Sequence, residues 1–130
     1  MTTATIKYHG RRTGPAKVAE VWVLDDQGGH VLPLEPSLRL RQHSPTGFEW
    51  GYAGSGPSQL AIALLLDATG DRDVAENNYQ RFKGEVVCGL PDAWVMDRQA
   101  VVDWVAALLP PPRPAMTAAE HNAFPRGRWS

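Results

Sequence analysis

The feature that most constrains the fold is a short, fully apolar run at Leu60–Leu66, which reads LAIALLL. A helix that is hydrophobic on every side is covered on most sides in a folded protein. The run is also far shorter than the roughly 20 residues that a membrane-spanning helix needs. Just before it, Gly54-Ser55-Gly56-Pro57 places a proline where the first turn of a helix tolerates one. The sequence therefore predicts a buried core helix entered through a glycine-rich corner.

The residues before this corner have a different period. Phe48, Trp50 and Tyr52 alternate with small or polar residues, and alternation with a period of two is typical of a half-buried strand. We read Glu35–Ser44 as either a short strand or a single helical turn. Other strands are predicted at Thr5–His9, Lys17–Leu24 and Val31–Leu34, a brief extended segment at Trp94–Met96, and further helices at Asp73–Leu90 and Arg98–Leu109.

Together these elements predict one α+β domain over residues 1–109. A small antiparallel sheet of about four strands is expected from the amino-terminal half, followed by three helices, the first of which is buried against the sheet. Residues 110–130 begin with three prolines, which end the last helix. We expect this part to be a proline-rich carboxy-terminal extension.

One stretch resembles the signature of a known family. It runs from His43 to Tyr52 as HSPTGFEWGY, continues as Gly54-Ser55-Gly56-Pro57 and ends at Gln59-Leu60-Ala61. Similar stretches mark a family of small proteins of bacteria, phages and mobile elements that is classed as a domain of unknown function. The likeness extends more loosely from Tyr8 to Trp104, and it departs from the family pattern at Ala53, where glycine is usual. The resemblance implies membership but no catalytic role.

Composition limits the classes of function. The net charge of −1 makes a nucleic-acid partner unlikely for the chain as a whole. Cys88 is the only cysteine, so no intramolecular disulfide and no multi-cysteine metal site can form. We expect no membrane segment, and because the first residues lack the apolar stretch of a signal peptide, we expect a cytoplasmic protein. The sequence predicts no cofactor, and it leaves the oligomeric state unknown.

The glycine-rich corner suggests a ligand site. The first turn of a helix carries unpaired N–H groups and a partial positive charge, which favour an anion or a phosphate. An alternative is that Ser55 or Gly56 only caps the helix. The sequence leaves open whether the basic clusters converge on this corner. The candidate ligand-binding residues are His43, Trp50, Tyr52, Gly54, Ser55, Gly56, Arg11 and Arg41.

An enzymatic alternative is a small hydrolase. It would use Ser44 or Ser55 as nucleophile, His43 or His9 as base and Glu49 to orient that base. The sequence has no GxSxG elbow to support it. The four histidines match no zinc pattern in their spacing, so we predict no metal site and no catalytic residues.

The favoured function is a non-enzymatic cytoplasmic binding protein, carried by a phage or a mobile element and acting on a host protein, with inhibition or modulation of host defence as one form. The carboxy-terminal segment combines aromatic and basic residues that suit a partner surface: Phe124, Arg126, Arg128 and Trp129. The alternatives are a protein that sequesters a nucleotide or another small phosphate-bearing ligand, and the small hydrolase.

Overall fold

The computed structural model describes residues 5–108. Within that range the chain is an α+β fold in which helices cover one face of an antiparallel sheet. The strands are β1 (Lys7–Thr13), β2 (Val18–Asp25), β3 (Gly28–Val31) and β4 (Ala93–Asp97). The helices are α1 (Glu35–Leu40), α2 (Ser55–Thr69), α3 (Arg72–Glu85) and α4 (Arg98–Leu108), with a 3-10 turn at Val87–Gly89.

The four strands lie in the order β3-β2-β1-β4, and every neighbouring pair is antiparallel. In the middle of the sheet, His9 of β1 lies opposite Trp22 of β2 and Val95 of β4. Trp22 in turn lies opposite Val31 of β3. Because side chains alternate between the two faces of a strand, this register fixes which residues share a face.

Helix α2 is the centre of the core, as predicted. Its residues from Gly56 to Leu65 are all buried, and Leu60, Ile62 and Leu64 have no exposed surface. The helix ends at Gly70, whose left-handed backbone (φ 66°) lets its N–H donate to the Leu66 carbonyl. One hydrophobic core joins this helix to the sheet, to α3 and to α4.

Helix α3 begins where the sequence predicts, because the Asp71 carboxylate accepts hydrogen bonds from the N–H groups of Asp73 and Val74. The buried positions Ala75, Tyr79 and Phe82 are spaced four and three residues apart, so they lie on one face of the helix. The helix ends at Glu85 rather than at Leu90, and the 3-10 turn follows it.

The predicted strand at Phe48–Tyr52 is wrong. These residues are irregular and belong to no strand of the sheet, whose order is β3-β2-β1-β4. The backbone of the segment finds other partners: the Gly51 N–H donates to the Val87 carbonyl at 3.0 Å. The Trp50 carbonyl accepts from the Arg12 guanidinium at 2.6 Å.

The fourth strand comes from the carboxy-terminal half instead, where the brief extended segment at Trp94–Met96 forms part of β4. The sheet therefore does not derive from the amino-terminal half alone, and four α-helices lie within residues 5–108 where three were predicted. The ambiguous segment Glu35–Ser44 contains α1. The third strand stops at Val31 because the chain reaches Pro33, which cannot donate to a ladder.

Candidate functional site: the open sheet face

The sheet has a second face that the helices do not cover. Tyr8, Val21 and Val23 point into the core and are buried, so their alternating neighbours point to the other side. We call the side chains on that other side the open sheet face. It consists of Lys7, His9, Arg11 and Thr13 of β1, Val18, Glu20, Trp22 and Leu24 of β2, Gly29 and Val31 of β3, and Ala93, Val95 and Asp97 of β4.

The centre of the open sheet face is apolar. Four large hydrophobic side chains are strongly exposed within residues 5–108, and three of them belong to this face: Val18 (55%), Val31 (53%) and Val95 (57%). The half-buried Trp22 lies in the register row between Val31 and His9. A depression of about 520 Å³ is lined by Trp22, Leu24 and Val95 together with His9 and Arg11. Exposed hydrophobic groups gathered on one face are typical of a binding surface.

Charged residues of both signs lie in the rows on either side of the central row, and Val18 lies beyond the row of Arg11 and Glu20. Lys7 lies opposite Asp97 at one end, and Arg11 lies opposite Glu20 at the other. Within residues 5–108, none of these four residues makes an ion pair within 4.0 Å. Glu20 uses one carboxylate oxygen to accept from the Trp22 indole N–H at 3.1 Å, which holds the indole on the face.

The ligand residues predicted from the sequence do not converge. Trp50 lies in the core, where its indole donates to the Pro91 carbonyl at 2.8 Å. The His43 ring contacts the Tyr79 hydroxyl at 2.8 Å. Arg41 pairs with Glu76 at 3.2 Å, whereas Arg11 belongs to the open sheet face. The basic residues are thus spread over different surfaces.

The glycine-rich corner is tightly packed. Gly54 is the N-cap of α2, and a Cβ added at Gly56 would lie 2.6 Å from the Cβ of Glu49. The Ser58 hydroxyl donates to the Gly54 carbonyl, and the Lys83 ammonium donates to Ser58, both at 3.0 Å. Ser55 and Tyr52 are exposed beside this corner. The predicted anion site there stays a prediction.

The hydrolase residues are also separated. The Ser44 hydroxyl donates to the Gly47 carbonyl at 2.7 Å, and Glu49 accepts from Arg12 at 2.9 Å. His9 lies on the open sheet face, away from both serines. Across residues 5–108, no three His, Cys, Asp or Glu side chains are close enough to share a metal ion. The predicted partner residues Phe124, Arg126, Arg128 and Trp129 lie outside the described residues.

Two polar clusters join elements of the fold, and the first of them links α2 and α4 to β1 of the sheet. The Tyr8 hydroxyl donates to Asp67 at 2.6 Å, and Arg98 donates to Asp67 at 2.7 Å. Burial, followed by the hydrogen bond to Asp67, raises the pKa of Tyr8 above its ordinary value. These groups have partners within the fold, so they act in stability.

The second cluster is the amide of Gln59, which has no exposed surface. Its oxygen accepts from the N–H groups of His43 and Ser44 at 2.8 and 3.0 Å. Its nitrogen donates to the Ser37 hydroxyl and the Arg41 carbonyl at 2.9 and 3.0 Å. One side chain thus fastens α1 and the following loop to α2.

A model of a known family matches residues 8–107, which is most of the chain. The chain belongs to DUF6166, a family of unknown function. No curated protein and no solved structure matches it. The match extends from β1 to α4, so it includes the open sheet face and the helices behind it.

The stretch from His43 to Ala61, on which the resemblance was based, serves the fold at several positions. Gln59, Trp50 and Ser44 are each hydrogen-bonded within the chain, and Gly56 makes room for Glu49. These contacts show that the stretch supports the fold, and they do not by themselves locate a binding site.

Within residues 5–108, no helix has the length and hydropathy that a membrane span requires.

The open sheet face was not predicted from the sequence, although the pattern of apolar residues in β2 indicates it. Val21 and Val23 occupy one parity of the strand, and Val18, Trp22 and Leu24 occupy the other. A strand that is apolar on both faces is covered on both sides or has an uncovered apolar face. This double pattern indicates a second surface before any coordinates are known.

Proposed function

We propose that the protein is a non-enzymatic protein-binding module and that its partner docks on the open sheet face. The observation that carries the proposal is the exposure of Val31 and Val95 in the row of Trp22, with Val18 exposed farther along β2, on a face that no described helix covers. Protein interfaces share this plan, with an apolar centre, an aromatic anchor and a polar rim.

The charges on the face favour a protein over a nucleic acid. Two basic residues, Lys7 and Arg11, are balanced by two acidic residues, Glu20 and Asp97. A surface that binds nucleic acid is instead basic along the path of the phosphates. Mixed charges around an apolar centre match a protein surface of mixed charge.

A binding role is also favoured over catalysis by the placement of the polar groups. Ser44, His43 and Glu49 are each engaged with a different partner, whereas a nucleophile, its base and an orienting acid need to be within hydrogen-bonding reach of one another. The proposal in its finer form is a cytoplasmic factor of a phage or mobile element that acts on a host protein. The family resemblance supports the origin in a phage or mobile element.

The test compares two aromatic side chains at the surface, the half-buried Trp22 and the exposed Tyr52. The tagged full chain, Trp22→Asp and Tyr52→Asp are each used to capture proteins from an extract of the cells that make the protein. Tyr52 is 49% exposed but lies outside the open sheet face, which makes it a matched control. We expect the captured protein to be lost with Trp22→Asp and retained with Tyr52→Asp.

A second variant guards against misfolding. Val95 is 57% exposed, so Val95→Lys changes the face without opening the core, and thermal unfolding confirms that each variant is folded. Equal capture by wild type, Trp22→Asp and Val95→Lys would show that the open sheet face binds no protein, and the proposal would then be abandoned.

A further inference from the structure

We infer that the protein bound at the open sheet face is a second copy of this chain, related to the first by a twofold axis that runs parallel to the strands. This inference rests on the proposed function, because it names the partner for the same surface. Two sheets that pack face to face keep their strands within about 30° of one another. A twofold axis along the midline of the sheet, between β1 and β2, produces such a pair.

The register shows what this axis brings together. Rotation about this axis leaves each row of paired residues at the same level along the strands. It places β1 of one copy over β2 of the other and β3 over β4, so Arg11 of one copy faces Glu20 of the other. In the central row, His9 faces Trp22 and Val95 faces Val31. A symmetric interface repeats each of these contacts twice. Opposite charges thus meet at Arg11 and Glu20, and apolar side chains meet at Val95 and Val31. In the next row Lys7 of one copy lies over Leu24 of the other, where the methylene stem of the lysine can cover the leucine while its ammonium stays in water.

The other in-plane axis gives a poor match. A twofold axis perpendicular to the strands through the central row would place each strand over its own copy. Lys7 of one copy would then face Arg11 of the other at both symmetry-related contacts. Like charges across an interface are strongly unfavourable. The arrangement of charges therefore selects the axis that is parallel to the strands.

The charged residues on the face are available for such contacts. Arg11 and Glu20 are register neighbours within one chain, yet no ion pair joins them within 4.0 Å in the described residues. Glu20 keeps a second carboxylate oxygen that the Trp22 indole does not use. The ion pairs that the single chain does not form are the ones that the dimer would supply.

The test is a charge exchange followed by analytical ultracentrifugation of the full chain over a series of concentrations. Arg11→Glu alone would place two carboxylates opposite each other at both symmetry-related contacts, and Glu20→Arg would do the same with two guanidinium groups. We expect the wild type to dimerise and each single variant to associate at least about tenfold more weakly. Arg72→Glu, which makes the same charge change on α3, is expected to dimerise like the wild type.

The equimolar mixture of Arg11→Glu and Glu20→Arg is the decisive sample. In the mixed dimer both contacts again join opposite charges, so dimerisation is expected to return to the wild-type strength. Repulsion within one chain would not be relieved by mixing, so a mixture as weak as its components would overturn the inference.

The wild type also separates this inference from the proposed function. A wild type that stays monomeric at every concentration overturns the dimer. If Trp22→Asp still loses another captured protein in that case, the face binds a different partner and the proposed function stands. If no capture depends on Trp22 either, both are abandoned.

Discussion

The two faces of the sheet carry similar side chains but have different roles. On the helix-covered face, Tyr8, Val21 and Trp94 are buried, and Tyr8 is hydrogen-bonded to Asp67. On the open sheet face, Trp22 and Val95 contribute apolar surface that the described helices leave uncovered. Folding accounts for the composition of the covered face, while the composition of the open sheet face is the reason why we propose a partner.

The largest expected effect is on the covered side, at Trp50. Its side chain has no exposed surface, contacts Trp94 edge-on with ring centroids 5.6 Å apart, and lies beneath the Arg12 guanidinium. Trp50→Ala should lower the free energy of unfolding by about 3–5 kcal/mol, because a large cavity remains. Urea denaturation followed by circular dichroism measures this loss. A change below about 1 kcal/mol would contradict the role of Trp50 in the core.

A somewhat smaller loss is expected at Gln59. Gln59→Leu keeps the volume but removes all four hydrogen bonds of the amide. We expect a loss of about 2–4 kcal/mol in the free energy of unfolding, since buried groups left without partners cost about 1–3 kcal/mol each and water reaches some of them. The same denaturation experiment applies, and a stability equal to that of the wild type would contradict the clamp role of the amide.

Gly56 tests the packing of the corner. The Cβ of Gly56→Ala would lie 2.6 Å from the Cβ of Glu49, so the loop has to move. A loss of about 1–3 kcal/mol is expected from this overpacking. Gly84→Ala is the control, because its Cβ would meet no atom within 4 Å and alanine is the better helix former. If both variants were equally stable, the corner would be looser than described.

Tyr8 gives the covered face a pH dependence. Its pKa is raised in the folded state by burial, whereas the unfolded chain ionises at about pH 10. The unfolded state therefore loses its proton first, and the stabilisation by the neutral phenol is present below about pH 10 and declines as the pH rises further. Between about pH 9 and pH 11, the stability advantage of wild type over Tyr8→Phe should shrink. A constant advantage in denaturation experiments would contradict the assignment.

The sequence predicts the local elements better than the way they pair. Helix α2 follows from Leu60–Leu66 and its Gly70 terminus, and β2 follows from its β-branched residues. The segment Phe48–Tyr52 has the alternation of a strand, but its fate depends on Arg12 and Val87, which are distant in the chain. Periodicity shows which side chains are apolar and does not show which distant groups bind the backbone of a segment.

The same limit explains why only part of the candidate site can be predicted from the sequence. The alternation in β2 predicts that Trp22 and Val18 lie on the same side of the strand. Val31 and Val95 lie on the same face as these residues only because of the strand order β3-β2-β1-β4, in which β4 comes from a distant part of the chain. The basic residues Arg11 and Arg41 look similar in sequence, yet only Arg11 lies on the open sheet face.

The most direct test of the contrast between the faces is the stability of Trp22→Ser, measured by urea denaturation at a protein concentration low enough to keep the chain monomeric. We expect Trp22→Ser to have a free energy of unfolding within about 1 kcal/mol of the wild type, because Trp22 lies on a face that the monomer leaves open. A loss of about 3 kcal/mol or more, like that expected for Trp50→Ala, would show that the open sheet face serves folding and would contradict the account.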